Sequence, residues 1–401
     1  MRSLNREILP LVAPAILLIL LLFIHVAALR SIAFAITVAT ALFVWRKHPG
    51  PTVPLKIPLF LWAALALLSL LWARSVAYSV SEIRVEVVYD IAFFLSFFAL
   101  TRERLQWNVF RGALLAGLAT LAIMAIGFFA RTRDLNLNSI LGGVMSISTH
   151  IVAVFPLLVA TLFEFRGNTR ARVIGGLVVI FVLTAGYLTF NRNFIVAIDA
   201  VVLTMVLAAI WLRRTDRKHT VTLGLVAAIW IAASGLFFMS VVQQRADEVK
   251  APVESALKSD PRLGIWQFSV GLIHEQPFTG AGFGRFAAVD SYREKFPNDA
   301  ANAHAHNPFL NYAVQMGIEG ALLLAFLMFT VAREFSKLAK DLLPEVGLIG
   351  IAGLGMVVGV LVKTQTDDLW GRQHGYLFWA LTGMMLGYAH RLRSKPIPAD
   401  R

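Results

Sequence analysis

Cysteine is absent from this 401-residue chain. That absence excludes disulfides, thiolate metal sites and a cysteine nucleophile. Charge is scarce too. Asp, Glu, Lys and Arg make up 15% of the residues, where a soluble domain carries about 25%. Apolar residues fill the gap at 58%, above the usual share of about 45–50%. Such a balance excludes an ordinary soluble fold and describes an integral membrane protein.

The apolar residues fall in runs near 8–29, 31–45, 57–73, 84–100, 108–130, 144–164, 173–190, 194–212, 221–243, 308–332, 345–363 and 374–390. Runs of about 20 residues span a hydrocarbon core about 30 Å thick. The chain therefore reads as an all-α polytopic membrane protein with about 12 transmembrane helices. The first run follows Arg2 and Arg6, as a signal peptide would, but it is about twice too long and another run follows at once, so it reads as a retained span. Twelve spans put both termini on one side. The termini and the loops on their side hold 22 of the 37 Lys and Arg residues, including the cluster Arg213-Arg214-Thr215-Asp216-Arg217-Lys218. Positive residues mark the cytoplasmic side, so both termini are expected there. Most charges lie at span ends. Asp90 and Asp199 stand inside spans, and Asp199 is two helical turns from Arg192, beyond direct contact along one helix.

Residues 244–306 interrupt the pattern of short connections on the outer side. Loops of that length are usually functional or disordered, and this one carries helix and turn signals. The expected organisation is helices 1–9 in 1–243, the large loop in 244–306, helices 10–12 in 307–390 and a tail in 391–401. Within the loop, Asp260 can cap a helix opened by Pro261. Leu263, Trp266, Val270 and Ile273 then define an apolar face, and the helix stops before Pro277. Arg262 stands in its first turn, where a cation opposes the helix dipole. Solvent can satisfy such an arginine, and so can an anion facing the same helix end. The run Gly280-Ala281-Gly282-Phe283-Gly284-Arg285 lacks a preceding strand and a closing Gly-Lys-Ser/Thr, which rules out a nucleotide loop. Its glycines instead suit a tight turn that presents Arg285.

The loop closes on His304-Ala305-His306-Asn307-Pro308. Asn307 is a good cap and Pro308 suits the first helical turn, which fixes His306 at a helix N-terminus. The positive end of a helix disfavours imidazolium, and a neutral histidine is a suitable general base. Nine residues further on comes Gly317-Ile318-Glu319-Gly320, giving His-Asn-x9-Gly-x-x-Gly. These glycines also suit close helix packing.

This motif, at the junction of a large outer loop and the next span, resembles the signature of the O-antigen ligases in the O-antigen ligase/polymerase superfamily. Twelve spans with a large loop between spans 9 and 10 resemble that family as well. The resemblance implies a GT-C-like glycosyltransferase of the bacterial inner membrane with its active site facing the periplasm. It implies undecaprenyl-pyrophosphate-linked O-antigen as donor, lipid A–core as acceptor, and His306 as catalytic base. It also implies that Arg192, between spans 7 and 8, and Arg262 in the loop bind the lipid-linked pyrophosphate. Asn307, Gly317 and Gly320 carry the motif. Arg285 and Arg84 join the arginines as residues expected on the same side. Each arginine alone is also explained by a salt bridge. Several together suit a pyrophosphate, because a guanidinium binds phosphate oxygens bidentately.

No cofactor, metal or nucleic-acid partner is expected. Many membrane glycosyltransferases hold a metal on acids of the first outer loop. Here that loop reads as little more than Arg30 and Ser31, leaving Asp367-Asp368 as the acidic pair on that side. Two rivals remain. An O-antigen polymerase of the same superfamily would share the donor but tends to distribute its arginines between two sizeable outer loops. A protein-glycosylating relative would carry an additional soluble C-terminal part. A lipid-linked glycan transporter or flippase would place ionisable residues near the midplane and show repeats with broken helices.

Overall fold

The computed structural model describes residues 2–137, 140–164, 167–212, 217–248, 250, 252, 262–297, 303–366 and 372–394. The cap expected at Asp260 and Pro261, the pair Asp367–Asp368 and the basic residues Arg213 and Arg214 lie outside them.

The described chain is helical and contains no strand. The helices are α1 (Arg2–Leu20), α2 (Ala27–Lys47), α3 (Lys56–Leu68), α4 (Val76–Glu82), α5 (Tyr89–Leu100), α6 (Arg104–Thr132), α7 (Gly143–Glu164), α8 (Thr169–Tyr187), α9 (Arg192–Trp211) and α10 (Arg217–Glu248). After the long connection come α11 (Arg262–Glu275), α12 (Val289–Lys295), α13 (Pro308–Met316), α14 (Ile318–Ala339), α15 (Pro344–Lys363) and α16 (Gln373–Arg393). Among the described residues, seven helices are long and apolar enough to cross a membrane: α2, α6, α7, α8, α9, Val221–Gln244 of α10, and α15. The protein is an all-α polytopic membrane protein.

Side-chain burial separates an inner from an outer layer. From Gly375 to Ala389, α16 is buried all round, and α7 is buried over most of its length. A helix apolar on every side belongs in the middle of a bundle. By contrast α2, α8 and α10 expose Ile32, Ile36, Ile174, Ile180 and Ile229 along their lengths, as helices facing lipid do. Between buried helices the close approaches run through glycine. Gly383 and Gly387, one turn apart on α16, lie on the backbone of Phe94 and Phe98 in α5. A Cβ at Gly387 would stand 2.6 Å from the Phe98 carbonyl oxygen. Small residues at this spacing let membrane helices pack by van der Waals contact, which lipid cannot replace. At the end away from the loop, Arg391 donates to the carbonyls of Phe98 and Gly387, Arg111 pairs with Glu164, and Arg393 meets Asp341 at 3.0 Å.

Several boundaries differ from the hydrophobic pattern. The first apolar run, 8–29, is not one helix: α1 stops at Leu20, and the turn closes as the Ile24 N–H donates to the Ile140 carbonyl. The connection is therefore Leu21–Val26, and Arg30 belongs to the first turn of α2, where it donates to the Phe23 carbonyl. The run 84–100 opens with a π-helical segment, Ile83–Val88, continuous with α4 and α5. The run 308–332 is broken at Gly317 into α13 and α14. Asp199 accepts a 2.8 Å hydrogen bond from the Trp230 indole, which ties α9 to α10.

Residues 262–297 form a small packed unit against α13. Ile265, Ala281, Ala288 and Tyr292 share a core with Val314 of α13. Ser269 and Tyr292 join their hydroxyls at 2.6 Å, and burial pushes the Tyr292 phenol up to about 12. The packed face of α11 is thus Ile265, Phe268, Ser269, Leu272 and Ile273, so Ile273 of the expected face packs whereas Leu263 and Val270 are exposed. The packed face is turned from the expected one because its partner is the loop's own core.

Candidate functional site

His306 occupies a backbone conformation that side chains seldom adopt, with φ of +49°. Such left-handed residues cost about 1–3 kcal/mol and persist where the surroundings over-determine them, commonly at functional sites. The surroundings here are specific. Ala305 is fully buried, and its carbonyl accepts from the Trp266 indole at 3.0 Å. The His306 N–H donates to His304 Nδ1 at 3.2 Å, and the two rings lie edge to face with centroids 4.0 Å apart. His304 is itself buried and stacks on Phe286. On the other flank Asn307 caps α13 by accepting from the Leu310 N–H, and Pro308 follows at the first helical position. The Asn307 amide also donates to the backbone carbonyl and the side-chain oxygen of Gln365, both at 3.1 Å. One residue therefore ends the loop, starts a helix and ties both to the segment after α15.

The same segment holds the start of α9. Asn191 caps that helix, accepting from the Asn193 and Phe194 N–H groups. Asn193 then donates to the Lys363 carbonyl and to Thr366 Oγ1. Arg192, half-buried, stands between these two asparagines at the first helical position. Residues 363–366 thus brace both the Arg192 corner and the His306 corner.

The glycine run delivers Arg285. Gly280, Gly282 and Gly284 have φ of +69°, +96° and +127°, which only glycine adopts freely. The Ala281 and Gly282 N–H groups donate to the Val314 and Gln315 carbonyls at 2.9 and 2.8 Å. The Gly284 N–H donates to the buried Gln315 side chain at 2.7 Å. A Cβ on Gly282 would meet Ala73 Cα at 2.6 Å. The Phe286 N–H then donates to the Tyr78 hydroxyl. Burial, with Glu82 and Glu86 nearby, pushes that phenol up to about 12, so it stays protonated in ordinary conditions. Arg285, half-buried, interacts electrostatically with Tyr78 and with His374 of α16.

Gly317 has φ of +77°, and a Cβ there would stand 2.6 Å from the Phe278 backbone. The Ile318 N–H donates to the Pro277 carbonyl. Gly320 lies on the Tyr312 carbonyl. The glycine pair therefore folds α14 back on α13 and clamps the loop above them. Arg262 opens α11, whose Trp266 holds the His306 segment. Arg84 is exposed on the π-helical turn, and no hydrogen bond or ion pair among the described residues joins it to His306.

Four further polar residues stand at this end of the bundle: Arg30 of α2, His150 of α7, Lys363 of α15 and His374. Arg30, Lys363 and His150 all interact electrostatically with His374, and Lys363 is fully buried. Lys363, His150 and His374 do not stand out in the sequence, where Arg30 marks only a short connection. Only His150 stands well inside an apolar run, where an ionisable residue is costly; Lys363 and His374 stand at the ends of theirs, where charge is ordinary. Among the described residues no three His, Asp or Glu side chains are grouped to hold a metal ion.

Residues 177–325 match the family model described as O-antigen ligase. This match supports membership of the O-antigen ligase/polymerase superfamily. No curated protein matches it. The matched segment runs from α8 into α14 and takes in Arg192, Arg262, Arg285, His306, Asn307, Gly317 and Gly320. Arg84, Arg30, His150, Lys363 and His374 lie outside it. Members of this superfamily are glycosyltransferase-like enzymes of glycan assembly, and membership implies lipid-linked glycan substrates met in the membrane.

Proposed function

We propose that this superfamily member is an O-antigen ligase, with His306 as its general base. The observation that carries the reading is the placement of His306. It is held in a left-handed conformation between a packed loop and the Asn307–Gln365 brace, and that brace shares residues 363–366 with the Arg192 corner. A base positioned by its neighbours, with a cation corner held by the same brace, suits transfer from a lipid pyrophosphate.

The donor is undecaprenyl-pyrophosphate-linked O-antigen, and the acceptor is a sugar hydroxyl of lipid A–core. The hydroxyl oxygen attacks the anomeric carbon while its proton passes to an imidazole nitrogen of His306. The bond from that carbon to the pyrophosphate oxygen breaks, and its electron pair leaves on undecaprenyl pyrophosphate. Attack opposite the leaving group inverts the anomeric carbon. Arg192 and Arg262, with Arg285 and Arg84, offset the charge that grows on the leaving group, in the role a metal plays elsewhere. The site faces the periplasm of a bacterial inner membrane, with both termini cytoplasmic. The loop 244–306 supplies Arg262, Arg285 and His306, and the spans before and after it supply the floor.

Purified protein incubated with both lipids, followed by resolution of the products, tests the reading. Glycan on lipid A–core supports a ligase. Longer lipid-linked chains would make the protein a polymerase. Donor crossing a vesicle bilayer intact, with no new glycosidic bond, would make it a transporter.

A further inference from the structure

The direction in which the His306 imidazole points is set by its backbone. At φ of +49° its Cα–Cβ bond leaves the chain differently from that of an extended or right-handed residue. Two hydrogen bonds hold the segment in this shape. The Trp266 indole donates to the Ala305 carbonyl at 3.0 Å, and the His306 N–H donates to His304 Nδ1 at 3.2 Å. The second bond has the form of an Asx turn, in which a side chain accepts from the backbone two residues on. Here an imidazole stands where asparagine or aspartate is usual.

That bond constrains the His304 ring. A ring nitrogen that accepts carries no proton, and imidazolium offers two donors and no acceptor, so the turn is made by neutral His304 with its proton on Nε2. The ring is held in place as well. It is buried, Phe286 stacks on it with centroids 5.4 Å apart, and the His306 ring meets it edge to face at 4.0 Å. The Phe286 N–H donates to the Tyr78 hydroxyl at 3.0 Å, which anchors the stack to α4. His304 is thus enclosed with Nδ1 engaged, whereas His306 is half-buried. From these observations we infer that His304 is a positioning residue, which holds His306 through Nδ1 in the left-handed conformation that aims its imidazole at the acceptor hydroxyl. The inference rests on the ligase reading for what His306 does. His304 touches no reacting atom, so a side chain that keeps the hydrogen-bond acceptor can take its place.

Two variants of the full-length protein separate this role from the filling of space. His304→Asn gives up the ring but keeps an acceptor at the right reach, as an ordinary Asx turn. His304→Phe keeps a ring against Phe286 and gives up the acceptor. His304→Asn should transfer glycan close to the wild-type rate. His304→Phe should fall about 100-fold in kcat, the scale of a displaced reacting group, with KM for donor and acceptor unchanged. A residue that only fills space gives the reverse order, and that order, or equal rates in the two variants, would overturn the proposal. Should either variant fail to fold, the ring nitrogens of ¹⁵N-histidine-labelled wild type decide. His304 precedes Ala305 in the one His-Ala step of the sequence, which identifies its signals. They must show Nδ1 bare and Nε2 protonated; the opposite tautomer, or a ring protonated on both nitrogens, refutes the role. A wild type that forms no glycosidic bond refutes the ligase reading, and the tautomer then decides whether His304 holds His306.

Discussion

Arg192 shows how the site is made by single residues. It is set by two asparagines, one capping its helix and the other reaching across to residues 363–366. In the proposed reaction, a guanidinium so placed would act on the charge that develops on the leaving group. Removing one electrostatic contact of that kind costs roughly 100- to 1,000-fold in rate. Arg192→Ala should therefore lower the transfer rate by that factor at saturating donor, with the protein still folded by size exclusion. Arg192→Lys should restore part of it, since an ammonium keeps the charge and loses the planar fork. An unchanged rate in the alanine variant would remove Arg192 from the chemistry. At this scale His306 and Asn307 were legible in the sequence because capping is local: Asn307-Pro308 fixes where a helix starts, whatever lies around it. His150, Lys363 and His374 were not. They sit in three separate apolar runs, and only tertiary packing shows that they face one another.

Between elements the motif glycines do mechanical work. Gly317 breaks a run that reads as one span, 308–332, because both halves are apolar and periodicity does not register a change of direction. The physical cause is its φ of +77° together with the Phe278 backbone, which leaves no room for a side chain. Gly317→Ala should cost about 1–3 kcal/mol through backbone strain. It should also slow transfer by displacing α13, whose first turn carries the His306 segment. Thermal unfolding and rate, measured on the same preparation, check both effects. The π-helical turn at Ile83–Val88 was equally invisible, since it leaves hydrophobicity unchanged. Helix α11 was foreseen as an element, but its packed face was not, because the loop has a core of its own. The loop's core, through Tyr292, and its contact with α4, through Tyr78, have a pH signature. Tyr78 and Tyr292 are both pushed up to about 12 from an ordinary 10.0, chiefly by burial. Folded protein then holds protons that unfolded chain gives up, so this contribution is intact below pH 10 and is lost as pH rises through 12. Protease cleavage of the loop should rise across that window, and less in Tyr292→Phe, where one of the two phenols is gone.

Taken whole, the molecule gathers its polar chemistry at one end of an apolar bundle. Arg30, His150, Arg192, Lys363 and His374 come from five different helices, and the loop adds Arg262, Arg285 and His306. If the donor is the proposed one, its polyprenyl tail must stay in hydrocarbon while its pyrophosphate reaches this layer, so a lateral opening toward the bilayer is expected. The class of the fold was legible from composition and span length, because a bilayer admits few solutions for 58% apolar chain. The convergence of the helix ends was not. With cations in place of a metal, transfer should proceed unchanged in excess chelator, and strict dependence on added magnesium would show that arginine charge does not suffice. The most direct test of the central claim is glycan transfer from lipid-linked O-antigen to lipid A–core by wild type and His306→Ala, purified side by side. The account predicts product with the wild type and loss of at least 100-fold in a folded, donor-binding variant, in keeping with the roughly 10²- to 10⁴-fold share of a general base; a variant that transfers at the wild-type rate would contradict it.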